Sequence, residues 1–226
     1  DETANTWDND DVHEALDLCL ACKGCKSDCP VQVDMATYKA EFLAHYHEHN
    51  ARPRSAYTMG LIYWWARLAS KMPEAVNFLT SLPGVSGLMK RIGGVAPERD
   101  IPAFAEETLQ GWFRDRSRGE PTVPDKNVVM LWPDTFTNFL YPAAGKAAVR
   151  ILENQGYRVT MPEESLCCGR PLYDYGMLDV ARAHWRENLD ALQPQIENGT
   201  PLIGLEPSCT ASFRDELGEI YPDRTD

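Results

Sequence analysis

The sequence predicts an α + α/β chain: an all-helical lobe followed by a small three-layer α/β domain with a parallel sheet. Three observations carry this. Nothing before residue 120 alternates or runs as a strand does, whereas helical periodicity recurs between Pro and Gly breaks. Residues 117–127 (SRGEPTVPDKN) are polar and hold Pro and Gly, the composition of a linker. Beyond them short apolar runs alternate with amphipathic helical stretches, the pattern of a parallel sheet with right-handed crossovers. The expected domains are residues 1–120 and residues 126–226. The second is expected to be incomplete, because the chain reads as a piece of something longer: it opens on Asp1, not Met.

Each element has its own signal. Residues 1–10 are acidic and polar and read as a lead-in. Residues 11–20 (DVHEALDLCL) have helical periodicity. Asp34 is placed to cap a helix over Met35 to about Asn50, which Asn50–Pro53 end. A second apolar helix is expected over Ser55–Lys71, then shorter pieces near 73–82, 85–92 and 104–116. After the linker, Val128–Trp132 (VVMLW) is a continuous apolar run of the buried-strand kind. A helix over 143–154 closes at Gly156, and Tyr157–Met161 is a second strand. A long helix over 177–197 stripes Leu178, Ala181, Trp185, Leu189, Leu192 and Ile196 along one side. Leu202–Leu205 is a third strand, and Cys209–Tyr221 a last helix.

Composition removes whole classes of function. The 226 residues are 43% hydrophobic and 25% charged, values of a globular protein and not of a disordered chain or a rod. Twenty-two basic against 34 acidic residues leave a net charge of -12, which argues against nucleic-acid binding and gives no general attraction to an anionic membrane. No stretch of apolar residues is long enough for a spanning helix, and no secretory signal opens the chain. The expected location is the cytoplasm, with peripheral association at the inner membrane face as the one membrane option.

The seven cysteines are the chemistry-bearing feature. Cys19, Cys22, Cys25 and Cys29, with Pro30 after the last, have the spacing C-x2-C-x2-C-x3-C-P. This is the bacterial ferredoxin run for a [4Fe–4S] cluster: closely spaced thiolates wrap one cluster while backbone N–H groups stay free to face the sulfurs. Gly24 is expected to permit close backbone approach, and Pro30 to turn the chain away. Zinc is the competing reading, but zinc sites usually come as two separated pairs. In two-cluster ferredoxins the fourth Cys serves the other cluster. Cys29 therefore either closes a single cluster or serves a second one whose run lies upstream of Asp1. The remaining thiols, Cys167, Cys168 and Cys209, fall with Asp134 beyond the carboxyl ends of the three expected strands, where open α/β sheets place ligands. They are a candidate second metal or redox site, weighed against a small apolar corner of buried free thiols.

Other candidates are weaker. His45 and His49 of HYHEH stand one helical turn apart and suit zinc, but no third ligand is evident and a solvated face is the simpler reading. Tyr57–Trp65 (YTMGLIYWW) suits a quinone, membrane or partner surface, against the simpler reading of a core helix. Arg170, Tyr173, Asp174 and Tyr175 are as well explained by packing as by a substrate pocket. Arg91-Ile92-Gly93-Gly94 lacks the strand that a phosphate loop requires.

The segments CLACKGCKSDCPVQVDMATYKAEF, ARPRSAYTMGLIYWWARLAS, WPDTFTN, LCCGRPLYDYGMLD and GLEPSC together resemble the iron–sulfur portion of bacterial FAD-linked D-2-hydroxyacid dehydrogenases, of D-lactate or D-2-hydroxyglutarate type. The iron–sulfur subunits of glycolate oxidase and of anaerobic glycerol-3-phosphate dehydrogenase are more distant relatives. The resemblance implies an α-helical ferredoxin domain and then a "CCG" cysteine-rich domain. It further implies an FAD domain upstream or in a partner, and a quinone or soluble carrier as electron acceptor. In this chain the matching positions are Cys167, Cys168 and Cys209. Two depart: Asp134 and the vicinity of Ser212 are where cluster-binding members usually carry Cys. The expected role is an electron-transfer module of an FAD-dependent oxidoreductase. The alternatives are a thiol-dependent enzyme acting at the CCG pocket and a zinc-stabilised interaction module.

Overall fold

A computed structural model describes residues 7–117 and 127–221. The helical half comprises α1 (Asp10–Asp17), α2 (Gly24–Asp28), α3 (Met35–His49), α4 (Arg54–Met59), α5 (Ile62–Ala69), α6 (Pro73–Ser81), α7 (Pro83–Gly93) and α8 (Leu109–Ser117). The Asp34 cap is as expected: its Oδ1 accepts from the N–H groups of Ala36 and Thr37 at 3.0 and 3.1 Å. The single helix expected over Ser55–Lys71 is two, α4 and α5, meeting at Gly60–Leu61. α7 ends at Gly94, whose φ of 67° is the left-handed C-cap conformation, so the Gly-Gly pair terminates a helix. Most of the expected linker, residues 118–126, lies outside the described residues.

The second half is built on a three-stranded parallel sheet of order β2–β1–β3, with β1 (Val128–Trp132), β2 (Arg158–Thr160) and β3 (Leu202–Gly204). The register sets Val129 beside Val159 and Leu131 beside Ile203. β1 is central and apolar on both faces, which explains its unbroken run. Val129 and Leu131 pack with Val149 of α10 (Pro142–Asn154), and Met130 and Trp132 with Leu192 of α12 (Leu178–Glu197). Full burial of each such side chain stabilises by about 1.5–3 kcal/mol.

Three further helices are short: α9 (Thr135–Phe139), α11 (Arg170–Asp174) and α13 (Pro207–Ala211). The terminal helix expected over Cys209–Tyr221 is interrupted. α13 runs into a π-helical turn at Ser212–Glu216 before α14 (Leu217–Ile220). The halves share a core: Ala40 of α3 and Ala56 of α4 pack with Leu172, Tyr173, Ala181 and Trp185. Gly176, at φ 64°, lies so close to α3 that a Cβ there would meet the Ala44 nitrogen at 2.5 Å. No helix among the described residues is long and apolar enough to cross a membrane.

Candidate functional site: two cysteine centres joined by a buried ion network

The first centre is the loop between α1 and α3. The Cys19 N–H donates to Leu16 O at the end of α1, and the Cys29 N–H to Cys25 O at the end of α2. Between them Ala21 and Lys23 adopt φ of 51° and 60°, and Gln32 follows at 54°. These are left-handed conformations that non-glycine residues rarely take. Gly24 is not the special position that its lack of a Cβ suggested: a Cβ there would make ordinary contact with Cys22 Sγ at 3.6 Å. The unusual backbone falls instead on Ala21 and Lys23, both buried and held from outside the loop. Lys39 donates to Cys19 O at 2.7 Å, and the Arg170 guanidinium donates to Ala21 O. With these carbonyls engaged, N–H groups turn to sulfur. Ala21 N–H donates to Cys19 Sγ at 3.4 Å. The N–H groups of Val33, Val31 and Gln32 hold the Cys29 thiol below its ordinary range, outweighing burial. Cys22 and Cys25 are exposed, and Cys19 and Cys29 half-buried.

This arrangement fits an iron–sulfur group. It offers four soft ligands on one short loop, with N–H donors on sulfur to stabilise thiolate. No three His, Cys, Asp or Glu side chains among the described residues are arranged to hold a single metal ion. A cubane makes a different demand, one thiolate per iron around a larger body.

The second centre lies beyond the sheet. Gly169, at φ 76°, ends the Cys167-Cys168-Gly169 turn, and a Cβ there would meet Trp185 Nε1 at 2.5 Å. The glycine is required twice, by its dihedral and by the indole above it. Trp185 Nε1 donates to Cys168 O at 2.5 Å, and Asn188 Nδ2 to Cys167 O at 2.6 Å. Cys209 Sγ lies 2.9 Å from Cys168 Sγ, and all three thiols are buried. Hydrogen bonding to Cys168, then burial, pushes the Cys167 thiol well above its ordinary value. Cys168 is drawn down by Cys167, but Cys209 and burial prevail and leave it well above as well. Both are therefore protonated and poorly nucleophilic near neutral pH, which counts against a thiol nucleophile here.

Asp134 caps α9: its Oδ1 accepts from Phe136 N–H at 3.0 Å and Thr137 N–H at 2.9 Å. Its Oδ2 is buried with no hydrogen-bond partner among the described residues, in a residue only 1% exposed. Asp134 and the three thiols line one cavity of about 240 Å³, which Met59 and Ile62 of the helical half also line. So the structure brings these four sequence-predicted residues together around a shared space.

Sequence spacing missed what joins the two centres. Arg170 follows the CCG turn directly and lines the same cavity. Its guanidinium donates to Ala21 O in the first loop, to Glu216 at 2.5 Å and to Asp174 at 2.8 Å. Glu216, fully buried at the end of the π turn, also pairs with Lys23 at 3.3 Å, and Lys23 with Asp34 at 3.0 Å. Burial alone would raise the Asp34 carboxyl, but Lys23 and the Thr37 N–H together hold it below its usual range. Only the adjacency of Arg170 to CCG hinted at this role.

The remaining candidates resolve simply. His45 sits between Glu41 at 3.2 Å and Glu48 at 2.9 Å on a solvated helix face. Tyr173 is core, its hydroxyl 2.9 Å from Thr37 Oγ1, whereas Asp174 and Tyr175 reach the cavity. In α4 and α5, Tyr63 and Ala66 are buried as a core helix requires, but Tyr57, Trp64 and Trp65 are exposed.

The comparisons with known proteins agree with the chemistry. The chain is 26% identical over 227 residues to a D-2-hydroxyglutarate dehydrogenase of Pantoea ananatis, covering 94% of this chain and 22% of that protein. It is 24% identical over 218 residues to the glycolate oxidase iron-sulfur subunit of Escherichia coli, covering 92% and 48%. It is 28% identical over 146 residues to one subunit of the anaerobic glycerol-3-phosphate dehydrogenase of the same organism, covering 64% and 36%. The chain thus spans about a fifth of the length of the D-2-hydroxyglutarate dehydrogenases it matches. No solved structure matches. Residues 133–214 match the model of the CCG cysteine-rich domain, within a sequence similar nearly throughout to D-2-hydroxyglutarate dehydrogenases and to the glycolate oxidase iron-sulfur subunit.

Proposed function

We propose that the chain is the electron-transfer iron–sulfur module of an FAD-dependent D-2-hydroxyacid dehydrogenase or oxidase. It would carry electrons from reduced flavin, in an upstream or partner domain, to a quinone or soluble acceptor. Residues 1–120 would form an α-helical ferredoxin-like domain and residues 126–226 a three-layer CCG domain. Cys19, Cys22, Cys25 and Cys29 would hold a [4Fe–4S] cluster. Bound there, the cluster supplies one-electron chemistry, which lets a two-electron flavin discharge in single steps. The chain's own residues prepare that site: Lys39 and Arg170 hold the loop carbonyls, and N–H groups face the sulfurs of Cys19 and Cys29. Cys167, Cys168, Cys209 and Asp134 would form the second metal or redox site. A bound soft cation would deprotonate thiols that are otherwise held neutral. The module would work in the cytoplasm, peripherally at the inner membrane face.

The observation that carries this reading is the Cys19–Pro30 loop, with N–H groups on sulfur and its Ala21 carbonyl held by the residue that follows the CCG turn. The test uses the full-length flavoprotein, purified anaerobically and given a D-2-hydroxy acid. Flavin reduction followed by bleaching of a broad visible iron–sulfur band is expected. In Cys22→Ser the flavin should still be reduced while that bleaching disappears. Unchanged bleaching in the variant would refute the assignment.

A further inference from the structure

The ion network between the two centres is built in a way that stability does not require. Arg170, Glu216 and Lys23 are 5%, 0% and 8% exposed. Taking charges out of water is costly, and a buried ion pair holds two lobes together no better than well-packed apolar side chains would. Glu216 is also left half-satisfied. Its Oε1 meets Arg170 and Lys23, while its Oε2 is buried with no hydrogen-bond partner among the described residues. In the low dielectric of the interior such charges act on their neighbours far more strongly than exposed ones do.

The position of the network says what it acts on. Lys23 belongs to the first loop, between Cys22 and Cys25. Arg170 donates to the carbonyl of Ala21, the residue before Cys22. Glu216 is the anion that both cations share. Reduction of an iron–sulfur cluster adds one negative charge to it, so a nearby buried cation favours the reduced form and a nearby buried anion opposes it. The same loop carries an exposed ion pair for comparison. Lys26 meets Glu219 at 2.6 Å, but their side chains are 33% and 38% exposed, so water and salt screen them.

We infer that Arg170 and Glu216 are positioning residues that set, with opposite signs, the reduction potential of the cluster on the Cys19–Pro30 loop: the guanidinium raises it and the carboxylate lowers it. This rests on the cluster assignment of the proposed function and adds the residues that tune it. One electron enters the cluster, from reduced flavin in the protein and from dithionite in the test. No bond in the chain forms or breaks.

The test is an anaerobic redox titration of the full-length protein with dithionite and mediators, read by the electron paramagnetic resonance signal of the reduced cluster. Glu216→Gln keeps the shape and an acceptor for Arg170 but removes the charge. It should favour the reduced form by about tenfold, an upward shift of about 59 mV for one electron. Arg170→Gln should move the potential down by a similar factor. Arg170→Lys keeps the charge and should lie nearer to the wild type than Arg170→Gln does. Glu219→Gln, at the screened pair, should change the equilibrium by less than about threefold. Iron content and circular dichroism check that each variant is folded and loaded. Damage to the loop alone would not move Glu216→Gln and Arg170→Gln in opposite directions. Unmoved potentials in the loaded variants, shifts of one sign in both, or a shift in Glu219→Gln as large as in Glu216→Gln would overturn the inference. Should Arg170→Gln lose its iron, the upward shift of Glu216→Gln against a near wild-type Arg170→Lys decides. A wild type with no reduced-cluster signal would refute the cluster assignment itself and the inference with it, a failure distinct from an unmoved potential in loaded protein.

Discussion

The two cysteine centres solve opposite problems with the same element. In the Cys19–Pro30 loop, Cys22 and Cys25 face solvent, and backbone N–H groups favour thiolate at Cys29. At Cys167, Cys168 and Cys209 the sulfurs are buried side by side, and burial with mutual hydrogen bonding keeps Cys167 and Cys168 protonated. The first centre is open, with backbone N–H groups holding the Cys29 thiol low. The second is buried, held under Trp185 and Asn188, and its Cys167 and Cys168 thiols are held well above the ordinary range. Exposure and backbone donors, and not the count of cysteines, separate the two.

The network between the centres is where the contrast breaks most easily. Glu216→Ala removes a fully buried carboxylate from Arg170 and Lys23 and leaves two cations without their shared partner. The expected cost is about 3–5 kcal/mol, read as a fall in the urea midpoint. Because Arg170 also holds Ala21 O, the first loop should lose iron faster to a chelator in this variant.

The contrast itself is sharpened by alkylation. In metal-free protein, iodoacetamide should label Cys22 and Cys25 at least about a hundredfold faster than Cys167 and Cys168, and the difference should vanish in urea. The pH dependence has a definite sign. A thiol held low gains thiolate at lower pH, so labelling of Cys29 should rise earlier than for an ordinary cysteine as pH increases. Labelling of Cys167 and Cys168 should stay flat until the pH is well above the ordinary thiol range. Mass mapping of the alkylated peptides decides it.

Gly169→Ala tests the buried centre alone. Positive φ and the indole at 2.5 Å both oppose a Cβ, so a loss of about 2–3 kcal/mol is expected. The first loop should keep its alkylation pattern. The smallest effect is expected of Asp134→Ala, which removes a helix cap worth about 1 kcal/mol. Asp134→Asn should restore that stability, because an amide oxygen still caps α9, without restoring a carboxylate to the cavity.

The parts of the fold legible in the sequence are those set by local pattern. Val128–Trp132 is apolar on both faces because it is central in the sheet, and the cap at Asp34 needs only the next three residues. The parts that were not legible depend on contacts far along the chain. One expected helix divides in two at Gly60–Leu61, and the last helix winds into a π turn that brings Glu216 to Arg170, 46 positions away. The convergence of Asp134 with three thiols could be expected from strand ends. The bond from Arg170 to Ala21, across 149 positions, could not.

One measurement reaches the claim of a cluster in the Cys19–Pro30 loop most directly: iron and acid-labile sulfide in anaerobically purified full-length protein, with electron paramagnetic resonance after reduction, for the wild type against Cys22→Ser/Cys25→Ser. The double variant should lack about four irons and four sulfides per chain relative to the wild type, together with one reduced-cluster signal. Equal iron and equal signal in both proteins, or zinc in place of iron in the wild type, would contradict it.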